Sequence, residues 1–234
     1  MKIIAGNWKM NGTRTSLESM VHDLSSVETK NIVILCVPFT MLGVKSDKIA
    51  IGAQDISSHT HGAYTGEVSA SMVADTGAKY VIVGHSECRQ YHGDTNDTVR
   101  SKAEHALSNG LTPIICVGET MDEKQAGKTM SIIESGVRES VPSNVNGKII
   151  IAYEPRWAIG AGLTPTSQEI EEAHSLIAKT LTDMGLDGTP ILYGASVKGS
   201  NAAEIMSIKN VDGVLVGGAS LKRDDFIPII TSIE

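Results

Sequence analysis

The stretch IIIAYEPRWAIGAG, residues 149–162, runs an apolar segment straight into a carboxylate, Glu154, and then into a proline, a tryptophan and a tail of small residues. Its first five residues are continuously apolar rather than alternating, which is the pattern of a strand covered on both faces, as in a parallel sheet. Seven further runs have the same character: KIIAG (2–6), IVILCV (32–37), IAIGA (49–53), YVIVG (80–84), PIICV (113–117), PILYG (190–194) and VDGVLVG (211–217). Amphipathic stretches lie between them. The clearest opens at Thr166, where Thr166 and Glu169 have the spacing of a capping box. Its apolar positions Ile170, Ala173, Ile177, Leu181 and Met184 then fall on one stripe at helical spacing. A second helix is expected from about 95 to 109, with Val99, Ala103, Ala106 and Leu107 inward, and a last one from 224 to about 232, with Phe226, Ile229 and Ile230 inward.

Eight buried strands alternating with helices predict an α/β fold, a closed (β/α)8 barrel, with an open doubly wound sheet as the alternative. The connection PFTMLGVKSDK (38–48) is too short for more than about two helical turns, so the second crossover is expected to be shortened. No linker, repeat or composition shift interrupts the chain, and residues 1–234 are expected to form a single domain.

The totals narrow the function classes. The net charge is −7 with 20% charged residues, a balance that argues against coating nucleic acid or binding a membrane surface. It leaves a local anion pocket open. The three cysteines are odd in number and widely spaced, and Cys36 and Cys116 sit in apolar runs as small hydrophobes. That pattern implies a reducing compartment, no disulfides and no metal site. No apolar run reaches the roughly 18 residues of a membrane span, so a cytoplasmic location is expected.

Polar residues collect where the strands end. The first run leads into Asn7 and Lys9, the fourth into His85, the sixth into Glu154, the seventh into YGAS and the eighth into GGAS. In a parallel barrel every C-terminal strand end lies on one rim, so these residues should converge. Singly, a lysine near a strand end is ordinarily a solvated charge and a histidine at a strand–helix junction a structural group. Together they suggest a base, an imidazole, a cation and two glycine-rich loops sharing a site.

These segments carry a family resemblance. GNWKMNG (6–12), GHSE (84–87), AYEPRWAIGAG (152–162), YGAS (193–196) and DGVLVGGASL (212–221) resemble the signature segments of the triosephosphate isomerase family, with GAQD, GAYTGE and CVGET as further matches. They run in family order over nearly the whole chain. The resemblance implies a cofactor-free homodimeric isomerase that interconverts dihydroxyacetone phosphate and D-glyceraldehyde 3-phosphate in glycolysis and gluconeogenesis. It assigns Glu154 as the base, with proton affinity raised by burial, and His85 as a neutral electrophile facing a helix start. Lys9 and Asn7 become oxyanion partners, Ser86 and Glu87 supporting residues. The phosphate cradle becomes the backbone of Gly160, Ser196, Gly217 and Gly218, and the flap residues 155–162. The loop around Thr65 is expected to insert into the other subunit.

Four positions depart from the family pattern. Arg156 stands at the leading flap hinge, the trailing hinge reads AGL, and Ala195 replaces a glycine, which is expected to strain closure. Cys88 replaces an arginine, leaving Glu67 without its expected partner. Two rival readings are a barrel aldolase with Lys9 as Schiff-base nucleophile and a non-catalytic phosphate-binding barrel.

Overall fold

Each apolar run forms a strand in the computed structural model, which describes residues 1–159 and 163–233. The strands are β1 (Ile3–Asn7), β2 (Ile32–Val37), β3 (Ala50–Ala53), β4 (Tyr80–Val83), β5 (Thr112–Val117), β6 (Ile150–Tyr153), β7 (Ile191–Tyr193) and β8 (Gly213–Val216). All are parallel and hydrogen-bonded in chain order, and β8 returns to β1 with Ile3 opposite Gly213 and Gly6 opposite Val216. Closure rules out the open-sheet alternative.

The period of two along each strand divides the apolar side chains into two cores. Ala5, Ile34, Cys36, Ile82, Ile114, Cys116, Ile150, Ala152, Leu192 and Leu215 fill the barrel. Their neighbours, among them Ile4, Leu35, Val81, Ile115 and Ile151, point outward and pack beneath the helices. Each such fully buried side chain contributes roughly 1.5–3 kcal/mol. This explains why the strands read as unbroken hydrophobic runs.

The outer layer comprises α1 (Arg14–Ser25), α2 (Ala70–Asp75), α3 (Ser86–Tyr91), α4 (Asn96–Ser108), α5 (Met121–Gln125), α6 (Thr129–Ser140), α7 (Ser167–Asp183), α8 (Ala202–Ser207) and α9 (Arg223–Ile230). Threonine caps the start of α1, α4 and α7 for a local reason. Its hydroxyl accepts an orphan N–H of the first turn at Thr95 and Thr166, and at Thr166 the Glu169 carboxylate closes the expected capping box. Ile170, Ala173, Ile177 and Leu181 are buried along α7 as the stripe requires, with Met184 only half-buried at its end. In α4, Val99, Ala103 and Ala106 are buried, and Leu107 is half-buried.

Between β2 and β3 the chain makes only a 3-10 turn, Phe39–Met41, as the short connection implies. Met41 is buried there, with Leu42 and Val44 half-buried. With so few intrahelical bonds, backbone amides in 38–48 should exchange with solvent orders of magnitude faster than those of β2 and β3. Equal protection of the two sets would contradict this.

A buried histidine also shapes the stability. His174 on α7 has no solvent exposure and packs edge-on to Tyr153, with ring centroids 5.9 Å apart. Its Nδ1 lies 2.9 Å from the carbonyl of Asn210, so Nδ1 carries the proton, and Nε2 has no partner among the described residues. Burial pushes its pKa down to about 4. Between pH 6.5 and 4 the unfolded chain therefore binds a proton that the folded chain refuses, and stability falls as pH falls. The loss reaches about 3 kcal/mol at pH 4 and saturates below it. Urea unfolding of the native chain and His174→Phe should show stability curves that converge by about that amount from pH 6.5 to 4. A pH-independent gap between them would refute the buried neutral imidazole.

Candidate active site

The barrel brings the rim residues together. Asn7 closes β1, His85 follows β4 by one glycine, Glu154 directly follows β6, and Gly194 and Gly217 follow β7 and β8. A cavity of ≈ 220 Å³ is lined by Asn7, Lys9, His85, Glu154, Ser196, Gly217 and Gly218, together with Ile159, Gly194, Ala195, Val197 and Leu215. Of the residues singled out from the sequence, Gly160 lies outside the described residues, while Ser86 and Glu87 stand behind the cavity wall on α3.

Glu154 is 3% exposed, and a carboxylate so buried needs donors. Its Oε2 accepts the Ser86 N–H at 2.9 Å, and its Oε1 lies 3.0 Å from His85 Nε2. The other ring nitrogen, Nδ1, accepts the Glu87 N–H at 3.2 Å and thereby caps α3. An acceptor at Nδ1 leaves the ring proton on Nε2, directed at Glu154. Lys9 adopts φ 51, a left-handed conformation rare for a residue with a side chain, and its N–H bonds back to Asn7 Oδ1 at 2.9 Å. Its Nζ is held by Glu87 Oε1 at 2.7 Å.

The electrostatics correct one expectation. Burial does push the Glu154 pKa up, but the charge and hydrogen bond of His85, the Ser86 N–H and Lys9 outweigh it, and the net shift is downward. The sequence reading counted the burial and not the donors. His85 shifts oppositely: burial lowers its proton affinity, and the neighbouring Glu154 and Glu87 carboxylates raise it above the ordinary value. Both shifts belong to the pair in contact. Once Glu154 turns away, burial, Lys9 and the α3 N–H at Nδ1 favour the neutral ring against the Glu87 carboxylate.

The backbone around Glu154 is equally determined. Its N–H continues the β5–β6 ladder to Val117 O at 2.8 Å, and Gly194 N–H bonds to Tyr153 O at 2.8 Å. Gly118 passes so close that a Cβ there would lie 1.8 Å from Glu154 O. Any larger residue must push the carboxylate's backbone aside.

Three braces escaped the sequence reading. The Arg89 guanidinium reaches inward to Gly84 O at 2.9 Å, Asn96 Oδ1 at 2.8 Å and Cys116 O at 3.0 Å, fastening α3 to the barrel. Buried Glu119 accepts Trp157 Nε1–H at 2.7 Å and its carbonyl accepts the Arg156 N–H at 3.0 Å, docking the first part of the flap. Lys124 Nζ sits 4.0 Å over the Trp157 ring. Gln54 ties Lys9 O and Cys36 O together, at 2.9 and 3.1 Å. The CVGET segment marked Glu119 as part of a motif, but nothing local indicated its partners.

Two of the departing positions have definite surroundings in this state. Among the described residues, Lys9 and Asn210 are the non-glycine residues with positive φ, so Ala195 carries no left-handed strain in this state. Glu67 has found a partner, the hydroxyl of Ser57.

The comparisons with known proteins agree with this geometry. The family model described as Triosephosphate isomerase matches residues 2–233. The chain belongs to the triosephosphate isomerase family. It is 46% identical over 239 residues to the triosephosphate isomerase of Bradyrhizobium diazoefficiens, covering 97% of this chain and 95% of that one. With the enzyme of Rhizobium meliloti it is 47% identical over 248 residues, covering 99% and 96%. The crystal structure of triosephosphate isomerase from Bartonella henselae superposes with a TM-score of 0.88 at 36% identity, covering 99% of this chain and 98% of that one. The chain is thus an isomerase. Neither rival reading gains support: Lys9 is bound by a carboxylate and its side chain is 30% exposed, unlike the dry lysine a Schiff base needs.

The Gly118 contact gives a direct test of how tightly the carboxylate is placed. Gly118→Ala should lower the unfolding midpoint by several degrees and cut kcat at least about tenfold in the protein that remains folded. A folded variant with unchanged kcat would mean that the site tolerates a displaced Glu154 backbone.

Proposed function

We propose that the chain interconverts dihydroxyacetone phosphate and D-glyceraldehyde 3-phosphate without a cofactor, by moving one proton between adjacent carbons through an enediolate. The observation that carries this reading is the direct meeting of Glu154 and His85, 3.0 Å apart, in a small cavity also lined by Lys9 and the Gly217–Gly218 backbone. A glutamate base paired with a neutral histidine at a barrel rim is an established arrangement for this reaction.

Substrate entering between the two residues takes over the role each plays for the other. Glu154 leaves the His85 and Ser86 donors and turns to the carbon-bound proton. Losing donors while staying buried raises its proton affinity, as a base for a weak C–H acid requires. His85 then offers its Nε2–H to the substrate oxygen, with the helix N–H at Nδ1 holding the ring neutral. Lys9 and Asn7 supply positive potential beside the oxygen on which charge develops. Backbone N–H groups of Ser196, Gly217 and Gly218, with Gly160 of the flap, take the phosphate, aided by the short helical turn Gly218–Leu221. Phosphate binding energy, remote from the reacting carbons, drives the flap down and excludes water.

The same reading makes residues 1–234 one domain, working in glycolysis and gluconeogenesis in the cytoplasm as a homodimer. Residues 59–67 are exposed, and Tyr64 stacks on His59 with ring centroids 3.8 Å apart, a pre-formed knob for a neighbouring subunit around Thr65. Among the described residues no helix is long and apolar enough to cross a membrane.

Isotope exchange tests the base. Turnover of dihydroxyacetone phosphate in heavy water should place deuterium in the product, and Glu154→Asp, which withdraws the carboxylate by about one methylene, should lower kcat by about 100-fold or more with inorganic phosphate affinity preserved. Undiminished turnover in that variant would remove Glu154 from the role.

A further inference from the structure

We propose that Cys88, His92 and Asp55 form a site for one thiophilic divalent transition ion, zinc being the best match to the donor set. The site lies outside the catalytic cavity, and its case is independent of the isomerase mechanism. Cys88 lies in α3 and His92 caps its C-terminus. The His92 N–H bonds to Cys88 O at 2.9 Å, so this last turn is intact and the i, i+4 spacing puts thiol and imidazole on one face. Asp55 arrives from the other side, two residues beyond β3. A donor atom of each residue lies within 4.8 Å of the other two. Around a tetrahedral zinc such atoms stand roughly 3.3–3.8 Å apart, a closure of about 1 Å that side-chain rotation supplies.

Charge favours a cation here. Lys102 Nζ bonds to Asp55 at 2.8 and 2.9 Å and to Asp94 at 2.9 Å on both oxygens. One ammonium therefore faces two carboxylates in a largely buried corner, which leaves one negative charge over. A thiolate at Cys88 makes it two, and a divalent ion brings the corner to neutrality. Asp55 need not release Lys102, because each carboxylate oxygen has a second lone pair; the lysine then orients the ligand from behind.

The neighbouring cavity of ≈ 400 Å³, lined by Asp55, His92, Asp94, Ser57 and Glu67 among others, leaves room for water at a fourth position. A metal-free cysteine thiol, ordinarily with a pKa of about 8.5, holds its proton at neutral pH. Binding replaces the S–H bond by a metal–sulfur bond and releases that proton to solvent, with no change of oxidation state. The sequence reading expected no metal because it weighed spacings between cysteines, and this pair joins a cysteine to a histidine one turn on.

The test uses the full chain freed of metal by dialysis against a chelator, then titrated with cobalt(II) and with zinc. One equivalent of cobalt should produce a thiolate-to-cobalt charge-transfer absorption in the near ultraviolet, and zinc should abolish it. Calorimetry of zinc binding in two buffers of unlike ionisation enthalpy should report one proton released. Cys88→Ser should lose the absorption, and His92→Gln should weaken zinc binding at least about tenfold. His22→Gln, on the distant α1, should change neither. No charge-transfer absorption in the native chain, or an absorption that persists in Cys88→Ser, would overturn the site.

Discussion

A carboxylate removed from water must be solvated by the protein, and the demands of Glu154 organise everything around it. Its two donors, the Ser86 N–H and the His85 Nε2–H, come from the first residues of one short helix. That helix can present them because His85 caps its own helix through Nδ1, which fixes the tautomer that the carboxylate needs. The next residue, Glu87, closes the chain of contacts by holding Lys9. Acid, imidazole and ammonium are therefore one connected unit, anchored where Arg89 pins α3 to the carbonyls of Gly84 and Cys116. A shift of α3 would therefore reach all three groups at once.

The same unit explains why the resting site is a poor base. Each donor that makes burial of Glu154 tolerable also stabilises its charged form and lowers its affinity for a proton. In the proposed reaction, basicity is obtained by exchange of partners rather than by burial alone. The flap has a corresponding resting contact, since Glu119 holds Trp157 and the Arg156 backbone. In the proposed reaction, closure exchanges these bonds for contacts to the substrate phosphate, which would link remote binding to the chemistry.

Much of this was legible in the sequence because it depends on periodicity. Eight continuous Ile/Val runs specify strands buried on both faces, and the pairing of β8 with β1 decides closure over an open sheet. Topology alone carries Asn7, His85 and Glu154 to one rim. The partners were not legible, because they are tertiary. Nothing near Glu154 in sequence indicates that Ser86, 68 positions earlier, donates to it. Arg89 resembles any helix-surface arginine until the barrel carbonyl at Cys116 comes within reach. His174 on its apolar stripe gives no hint of Asn210. The direction of the Glu154 shift was misjudged for the same reason: burial can be inferred from a pattern, whereas the count of donors cannot.

The departures from the family pattern divide accordingly. Arg156 and Ala195 sit where the proposed flap and phosphate loop lie, yet the Arg156 N–H still finds Glu119 O and the Ala195 backbone needs no left-handed φ, so the resting rim absorbs both. Cys88 acts elsewhere. It lies on α3, whose first residues donate to Glu154, but its side chain stands near Asp55, Asp94 and Lys102, where a long cation would balance the acids and a thiol does not. One helix thus carries a face turned to Glu154 and a face turned to the buried acids, and the departure at Cys88 falls on the second.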